Sequence, residues 1–187
     1  MRKLKLQMQM SIDGYVARPN GEIDWMTSEQ DDELITFINT LIDSSDTILL
    51  GRKMTDGFVK YWENAADKNP DTPFAKKMVS IPKIVFTKTL DKSIWNNTSL
   101  AKGNLAEEIA SLKKQNGKDI IVYGGAGFVS SLIKEVLIDE YHLIINPVAI
   151  GSGLTIFNLP GTTNKFSIIQ SKLYACGKIV SSYKPQK

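Results

Sequence analysis

Three glycines in four positions, Gly124, Gly125 and Gly127, come directly after a short apolar run, Ile120, Ile121, Val122 and Tyr123, in the stretch DIIVYGGAGF at 119–128. A run of β-branched and aromatic residues this short reads as a buried strand. Phe128, Val129, Leu132, Ile133 and Val136 then recur at helical spacing. A strand that ends in glycines and opens a helix leaves backbone N–H groups bare beside the positive end of the helix dipole, which suits a phosphate. The pattern is GGxG, short of the GxGxxG fingerprint, and no Lys-Ser or Lys-Thr follows as in a nucleoside-triphosphate loop. A tight turn would use the same glycines.

Two more strand ends carry groups that favour anions. Residues 47–50 form an apolar strand closed by Gly51, with Arg52 and Lys53 next; residues 84–86 form another, followed by Thr87, Lys88 and Thr89. In an α/β sheet such ends face the crevice where ligands bind, and a guanidinium matches the geometry of phosphate oxygens. Either end alone reads equally well as a polar loop. Three of them together point to one anionic ligand.

The substrate side of such a crevice would come from the beginning of the chain. Residues 3–12 alternate strictly, with Leu4, Leu6, Met8, Met10 and Ile12 on one face and Lys5, Gln7, Gln9 and Ser11 on the other. This predicts a strand, and if it is central its polar side lines a wet cavity, because buried amides need partners. Residues 13–26 (DGYVARPNGEIDWM) hold turn formers at 13–14 and 19–21, leaving a short strand at 15–17 and Trp25 at the far end. A long loop of this kind can close over a ligand. Asp13 is the carboxylate best placed to relay a proton.

Ser28 to Asp31 has the spacing of a capping box, and Leu34, Ile35, Phe37, Ile38, Leu41 and Ile42 then follow a helical period. The carboxylates of that first turn compensate a helix dipole or serve as an acid. Residues 63–73 read as a surface loop, 74–79 as a short helix, 95–100 as a minor strand, and 105–112 as a helix ending at 116–117. A strand at 140–150 carries His142, a lone imidazole expected to be packed or interfacial rather than a base. Strands at 166–175 and 178–183, joined through Cys176 and Gly177, form a hairpin. The class is α/β: a three-layer α/β/α arrangement around a mixed, mostly parallel sheet that ends in an antiparallel hairpin.

Composition sets the limits. A chain of 187 residues can bury a substantial core as one domain spanning 1–187. Lys plus Arg exceeds Asp plus Glu by only three, 23 against 20, and the charges are scattered, which argues against a nucleic-acid surface. One cysteine and one histidine leave no internal disulfide and no Cys/His metal cluster, so no metal is expected. A reducing cytoplasm is the natural setting. The basic first residues lack a continuous apolar segment, so no signal peptide is expected, and no run is long enough to span a bilayer.

The placed residues carry a resemblance. MSIDGYVA at 10–17, DW at 24–25, LLGRK at 49–53, IVFTKTL at 84–90, DIIVYGGAGF at 119–128 and DEYHLIINPVAIGSGLTIF at 139–157 run in the order found in the dihydrofolate reductase-like superfamily. The nearest branch is the bacterial proteins related to the reductase domain of the bifunctional riboflavin biosynthesis enzyme. The resemblance implies a dihydrofolate reductase-like fold, an NADPH-dependent reductase and a likeness to homodimeric relatives. The 2′-phosphate would lie near Arg52, Lys53, Thr87 and Lys88, and the pyrophosphate on Gly124, Gly125, Ala126, Gly127 and Phe128. Val16, Ala17, Gly51 and Tyr123 would complete the cofactor contacts. Gln7, Gln9, Trp25 and Asp31 would meet a small pterin-like or aminopyrimidine substrate. Gln30 falls where true dihydrofolate reductases hold an acid, with Asp31 adjacent. Gln7 and Tyr123 stand where the riboflavin branch is expected to have Lys and Glu. The activities left open are reduction of 5-amino-6-(5-phosphoribosylamino)uracil, reduction of dihydrofolate, and a noncatalytic NADPH sensor.

Overall fold

The computed structural model describes residues 1–29, 31–69, 73–158, 160, 161 and 163–186. Its sheet has eight strands: β1 (Leu4–Ser11), β2 (Ser45–Gly51), β3 (Lys83–Phe86), β4 (Thr98–Ala101), β5 (Asp119–Gly124), β6 (Glu140–Asn146), β7 (Phe166–Leu173) and β8 (Ile179–Pro185). They lie in the order β4-β3-β2-β5-β1-β6-β8-β7. The first six in this order are parallel to one another, and β8 pairs antiparallel with β6 and β7. The mixed sheet with a terminal hairpin is therefore as its sequence indicates.

Among the described residues five helices cover it: α1 (Asp32–Asp43), α2 (Arg52–Lys68), α3 (Pro73–Ser80), α4 (Leu105–Lys114) and α5 (Ala126–Lys134). Alternation along each strand sorts the core into two layers. Leu4, Leu6, Leu49, Ile120 and Val122 pack with Ile109 and Leu112 of α4 and Val129, Leu132 and Ile133 of α5. Ile48, Leu50, Val85 and Ile121 pack with Leu41 and Ile42 of α1, Phe58 and Val59 of α2 and Met78 of α3. Consecutive residues of one strand thus feed opposite cores, which fixes register because a one-residue slip would exchange the two sets.

Several boundaries differ from the sequence expectation. The helix after the Trp loop starts later than Ser28: Asp31 is the N-cap of α1, its carboxylate accepting from the Leu34 N–H at 2.7 Å. Gln30 lies outside the described residues. The polar stretch at 63–73 is mostly helix, since α2 runs to Lys68; Glu, Ala, Asp and Lys are compatible with a helix, and polarity alone does not make a loop. Pro70, Asp71 and Thr72 are not among the described residues. The strand foreseen at 15–17 reduces to a single bridge between Ala17 and Leu154. The strand foreseen at 140–150 ends at Asn146, where Pro147 offers no N–H to continue the ladder.

Candidate functional site

Parallel strands β2 and β5 lie side by side, and each ends in a glycine from which a helix departs. Gly51 is the N-cap of α2 and Gly125 that of α5, and neither cap bears a side-chain hydrogen bond. The N–H groups of Arg52, Lys53 and Met54, and of Ala126, Gly127 and Phe128, therefore have no carbonyl one turn earlier to receive them. The two helix starts nearly touch. A Cβ on Gly51 would sit 2.7 Å from the Phe128 Cβ and 3.3 Å from the Gly125 nitrogen, so only glycine lets α2 and α5 begin this close together. Gly124 has φ of +137°, a further position that ordinary side chains disfavour. Beside Gly127 the space is open. Phe128 stacks on Phe86 with ring centroids 4.9 Å apart, tying the end of β3 into the same cluster.

Of the cations foreseen here, Arg52 and Lys53 open α2, and Lys88 follows the end of β3. Arg52 is held by Asp56 at 2.8 Å, one turn along α2, and its guanidinium lies 5.1 Å from the centre of the Trp95 ring. Asp56 also accepts from Trp95 Nε1 at 3.0 Å. The hydrogen bond from Arg52 holds the Asp56 carboxyl below its ordinary value. Lys53 and Lys88 are exposed. Thr87 differs: it is buried, and its hydroxyl accepts from the backbone of Thr89 and Leu90. It shapes the turn that carries Lys88 rather than offering a free hydroxyl.

The proton-relay residue Asp13, the cofactor contacts foreseen at Val16 and Ala17, and the residues foreseen to meet substrate separate into two groups. Asp13 accepts from the N–H groups of Ile150 and Gly151 at 3.0 and 2.7 Å, fastening the end of β1 to the segment after β6. Ser11 and these backbone donors keep its carboxyl below the usual range, so it is ionised at neutral pH and a poor proton donor. Asp31 caps α1 and also accepts from the Cys176 N–H at 3.3 Å. The Val16 N–H and the Ala17 carbonyl both pair with the Leu154 backbone at 2.8 Å. All four residues are engaged in holding the loop in place.

The second group forms a floor. Strand β1 is central, between β5 and β6, and part of its polar side is engaged within the protein. Gln9 Oε1 accepts from Asn146 Nδ2 at 2.7 Å, and Asn146 Oδ1 accepts from the Thr27 hydroxyl at 3.2 Å, which anchors the loop two residues beyond Trp25. Gln7 is 8 % exposed. Four buried polar atoms have no partner among the described residues: Gln7 Oε1, Trp25 Nε1, Tyr123 Oη and His142 Nε2. Lys5 pairs in register with Ile121, so by alternation Gln7 and Tyr123 project from the same face of neighbouring strands.

His142, opposite Gln7 in register on β6, has an explanation within the protein. Its Nδ1 lies 2.8 Å from the Ser182 hydroxyl, and its Nε2 is 3.6 Å from a Glu140 oxygen. Burial depresses its pKa against the opposing pull of Glu140. The packed imidazole expected from sequence is what the structure holds, and neither His142 nor Tyr141 reaches an outer surface. Sequence inspection did not single out Asn146, which joins loop to floor; an asparagine just before a proline looks like an ordinary turn residue. Among the described residues no cluster of His, Cys, Asp or Glu could hold a metal, and no helix is long and apolar enough to cross a membrane.

Comparison with known proteins agrees with this architecture. The uncharacterized protein YyaP of Bacillus subtilis is 31 % identical over 97 % of this chain and 94 % of its own length. The crystal structure of a Thermotoga maritima diaminohydroxyphosphoribosylaminopyrimidine deaminase/5-amino-6-(5-phosphoribosylamino)uracil reductase aligns with 99 % of this chain and 57 % of its own, with a TM-score of 0.68 at 15 % identity. A dihydrofolate reductase from Enterococcus faecalis, complexed with NADP(H) and RAB-propyl, covers 99 % of this chain and 97 % of its own, with a TM-score of 0.61 at 11 % identity. Residues 2–180 match the RibD C-terminal domain, and with its dihydrofolate reductase-like fold the chain belongs to that family.

Proposed function

We propose that this protein is an NADPH-dependent reductase acting on a small polar ring, pterin-like or aminopyrimidine-like. The observation that carries the reading is the pair of uncapped glycine N-termini at Gly51 and Gly125, set side by side, with Arg52 and Lys53 opening α2 and Lys88 two residues beyond β3. Two such helix starts suit the two phosphates of a dinucleotide, and the neighbouring cations suit a further phosphate on its ribose. When bound, the nicotinamide supplies the hydride. The chain supplies position: the bare amides of α2 and α5 hold the phosphates, the floor of Gln7 and Tyr123 orients the ring, and the Trp25 loop excludes water. Asp13, ionised and fastened to Ile150 and Gly151, leaves proton delivery to water.

Calorimetry with NADPH and NADH on wild type and Arg52→Ala tests this reading. Wild type should bind NADPH, and Arg52→Ala should lose roughly tenfold to a hundredfold for NADPH, the worth of hydrogen bonds to a charged group, with little change for NADH. No heat with either cofactor, or equal loss for both, would discard it.

The reading includes a homodimer. Strand β7 is a sheet edge, and Ile168, Leu173 and Ile179 of β7 and β8 are exposed, a surface that a second copy would cover. Sedimentation of wild type against Leu173→Lys checks it: the charge should yield monomers.

A further inference from the structure

A half-buried sulfur lies against the glycine seat. Met54 is the third residue of α2, so its N–H is one of the bare amides. A Cβ on Gly124 would sit 2.9 Å from Met54 Sδ and 3.6 Å from Met8 Cε, and one on Gly125 would sit 3.5 Å from Met54 Cβ. The thioether therefore fills the space beside Gly124 that another residue's side chain would take. Met54 also packs against the cluster that includes Leu50, Phe58 and Ile121, which holds the sulfur at the seat.

The other methionines lie away from the seat or away from solvent. Met8, Met10 and Met78 are buried, and Met1 is an exposed terminus. Met26, half-buried like Met54, belongs to the Trp25 loop. Among the described residues, Met54 is the methionine that is both open to solvent and in contact with the seat.

A thioether is a weak acceptor, so it leaves the bare N–H groups of Arg52, Lys53, Ala126 and Gly127 to an incoming phosphate. A sulfoxide is a different neighbour. Its oxygen is polar and a strong acceptor, so it would compete for those N–H groups and repel the oxygens of a phosphate. The rotatable bonds of the side chain let it turn toward them.

We propose that Met54 is an oxidation site that switches the seat off. Hydrogen peroxide is the oxidant: the sulfur lone pair attacks one peroxide oxygen, the O–O bond breaks as the S–O bond forms, and the proton on the transferred oxygen passes to the departing one, which leaves as water. Sulfur gives up two electrons and the peroxide takes them. A dithiol reverses the step through a methionine sulfoxide reductase, returning the thioether together with a disulfide and water. The switch rests on the reading of the seat as the NADPH site, and goes beyond it by making cofactor binding depend on redox state.

Wild type, Met54→Leu, Met26→Leu and Met54→Gln are treated with hydrogen peroxide, mapped by peptide mass spectrometry, and titrated with NADPH by calorimetry before and after treatment, alongside thermal melts. Wild type should gain one oxygen on Met54 and lose NADPH affinity about tenfold to a hundredfold, the worth of hydrogen bonds to a charged group. A methionine sulfoxide reductase with dithiothreitol should restore it. Met54→Leu should keep the affinity it had before treatment, whereas Met26→Leu should lose affinity as wild type does. Met54→Gln, whose amide carbonyl stands in for the sulfoxide oxygen, should bind more weakly than wild type with no oxidant present. A Met54 that resists peroxide, unchanged affinity once Met54 is oxidised, protection by Met26→Leu, equal loss in Met54→Leu, wild-type affinity in Met54→Gln, or a loss that accompanies unfolding overturns the switch and leaves the cofactor reading standing. No NADPH binding by untreated wild type instead discards the reading of the seat, and the switch with it.

Discussion

The glycine seat at the ends of β2 and β5 and the amide floor across β5, β1 and β6 meet at consecutive residues, Tyr123 and Gly124, but are built in opposite ways. In the seat the functional atoms are backbone N–H groups, left bare because Gly51 and Gly125 cap their helices without a side chain. In the floor they are side-chain atoms on strands that run through the middle of the sheet, some paired with each other, as Gln9 with Asn146, and some, as Gln7 Oε1 and Tyr123 Oη, enclosed without a partner among the described residues. A seat of backbone amides recognises charge and shape and tolerates variation around it. A floor of buried side chains recognises a particular pattern of donors and acceptors, and each residue exchanged there alters what fits.

Four substitutions would sharpen or break that contrast. Gly51→Val should have the largest effect. Its Cβ falls within 2.7 Å of the Phe128 Cβ, and overpacking of this kind costs about 1–3 kcal/mol. Urea unfolding should show that loss together with loss of cofactor binding; a fully stable Gly51→Val would mean that the two helix starts are not held as close as described. Asn146→Ala comes next. It strips Gln9 and Thr27 of their common partner, for about 1–3 kcal/mol, and should raise the KM for substrate while leaving NADPH affinity alone. A change in NADPH affinity instead would show that seat and floor are not separable.

Asp56→Asn should act only on the seat. Removing the carboxylate that pairs with Arg52 leaves the guanidinium charge unopposed, and the ratio of NADPH to NADH affinity should rise a few-fold; calorimetry showing a fall would assign Asp56 an essential holding role. Asp31→Asn should be smallest. The Asp31 carboxyl is kept below 3.8, first by the Leu34 N–H, so its stabilisation is present above that value and is lost as pH falls through the lower folded value. Melting temperatures followed into acid should decline less steeply in Asp31→Asn than in wild type, with KM unchanged. A large change in KM would return Asp31 to the substrate site.

Much of the seat was legible because backbone chemistry is written locally. DIIVYGGAGF announces a strand, a glycine break and a helix within ten residues, and LLGRK repeats the design. The boundaries were less legible. Ser28 and Asp31 match a capping box in spacing, but Asp31 takes the N-cap. The Asp13 carboxylate looked available until the segment after β6 supplied two N–H donors from 137 and 138 residues away. Val16 and Ala17 were likewise claimed by Leu154.

By itself the sequence determined the alternation of strands and helices, the positions where glycine bares the backbone, and the neutral amides of Gln7 and Gln9 along β1. Those follow from short-range sterics and from periods of 2 and 3.6 residues. Only the tertiary structure decided which polar groups find partners inside the protein. Asp13 does through Ile150 and Gly151, Asp31 through Cys176 and Gln9 through Asn146, while among the described residues Gln7 Oε1, Trp25 Nε1, Tyr123 Oη and His142 Nε2 do not. Pairing of that kind depends on residues more than a hundred positions apart meeting at hydrogen-bond distance, and no local pattern in the chain records it.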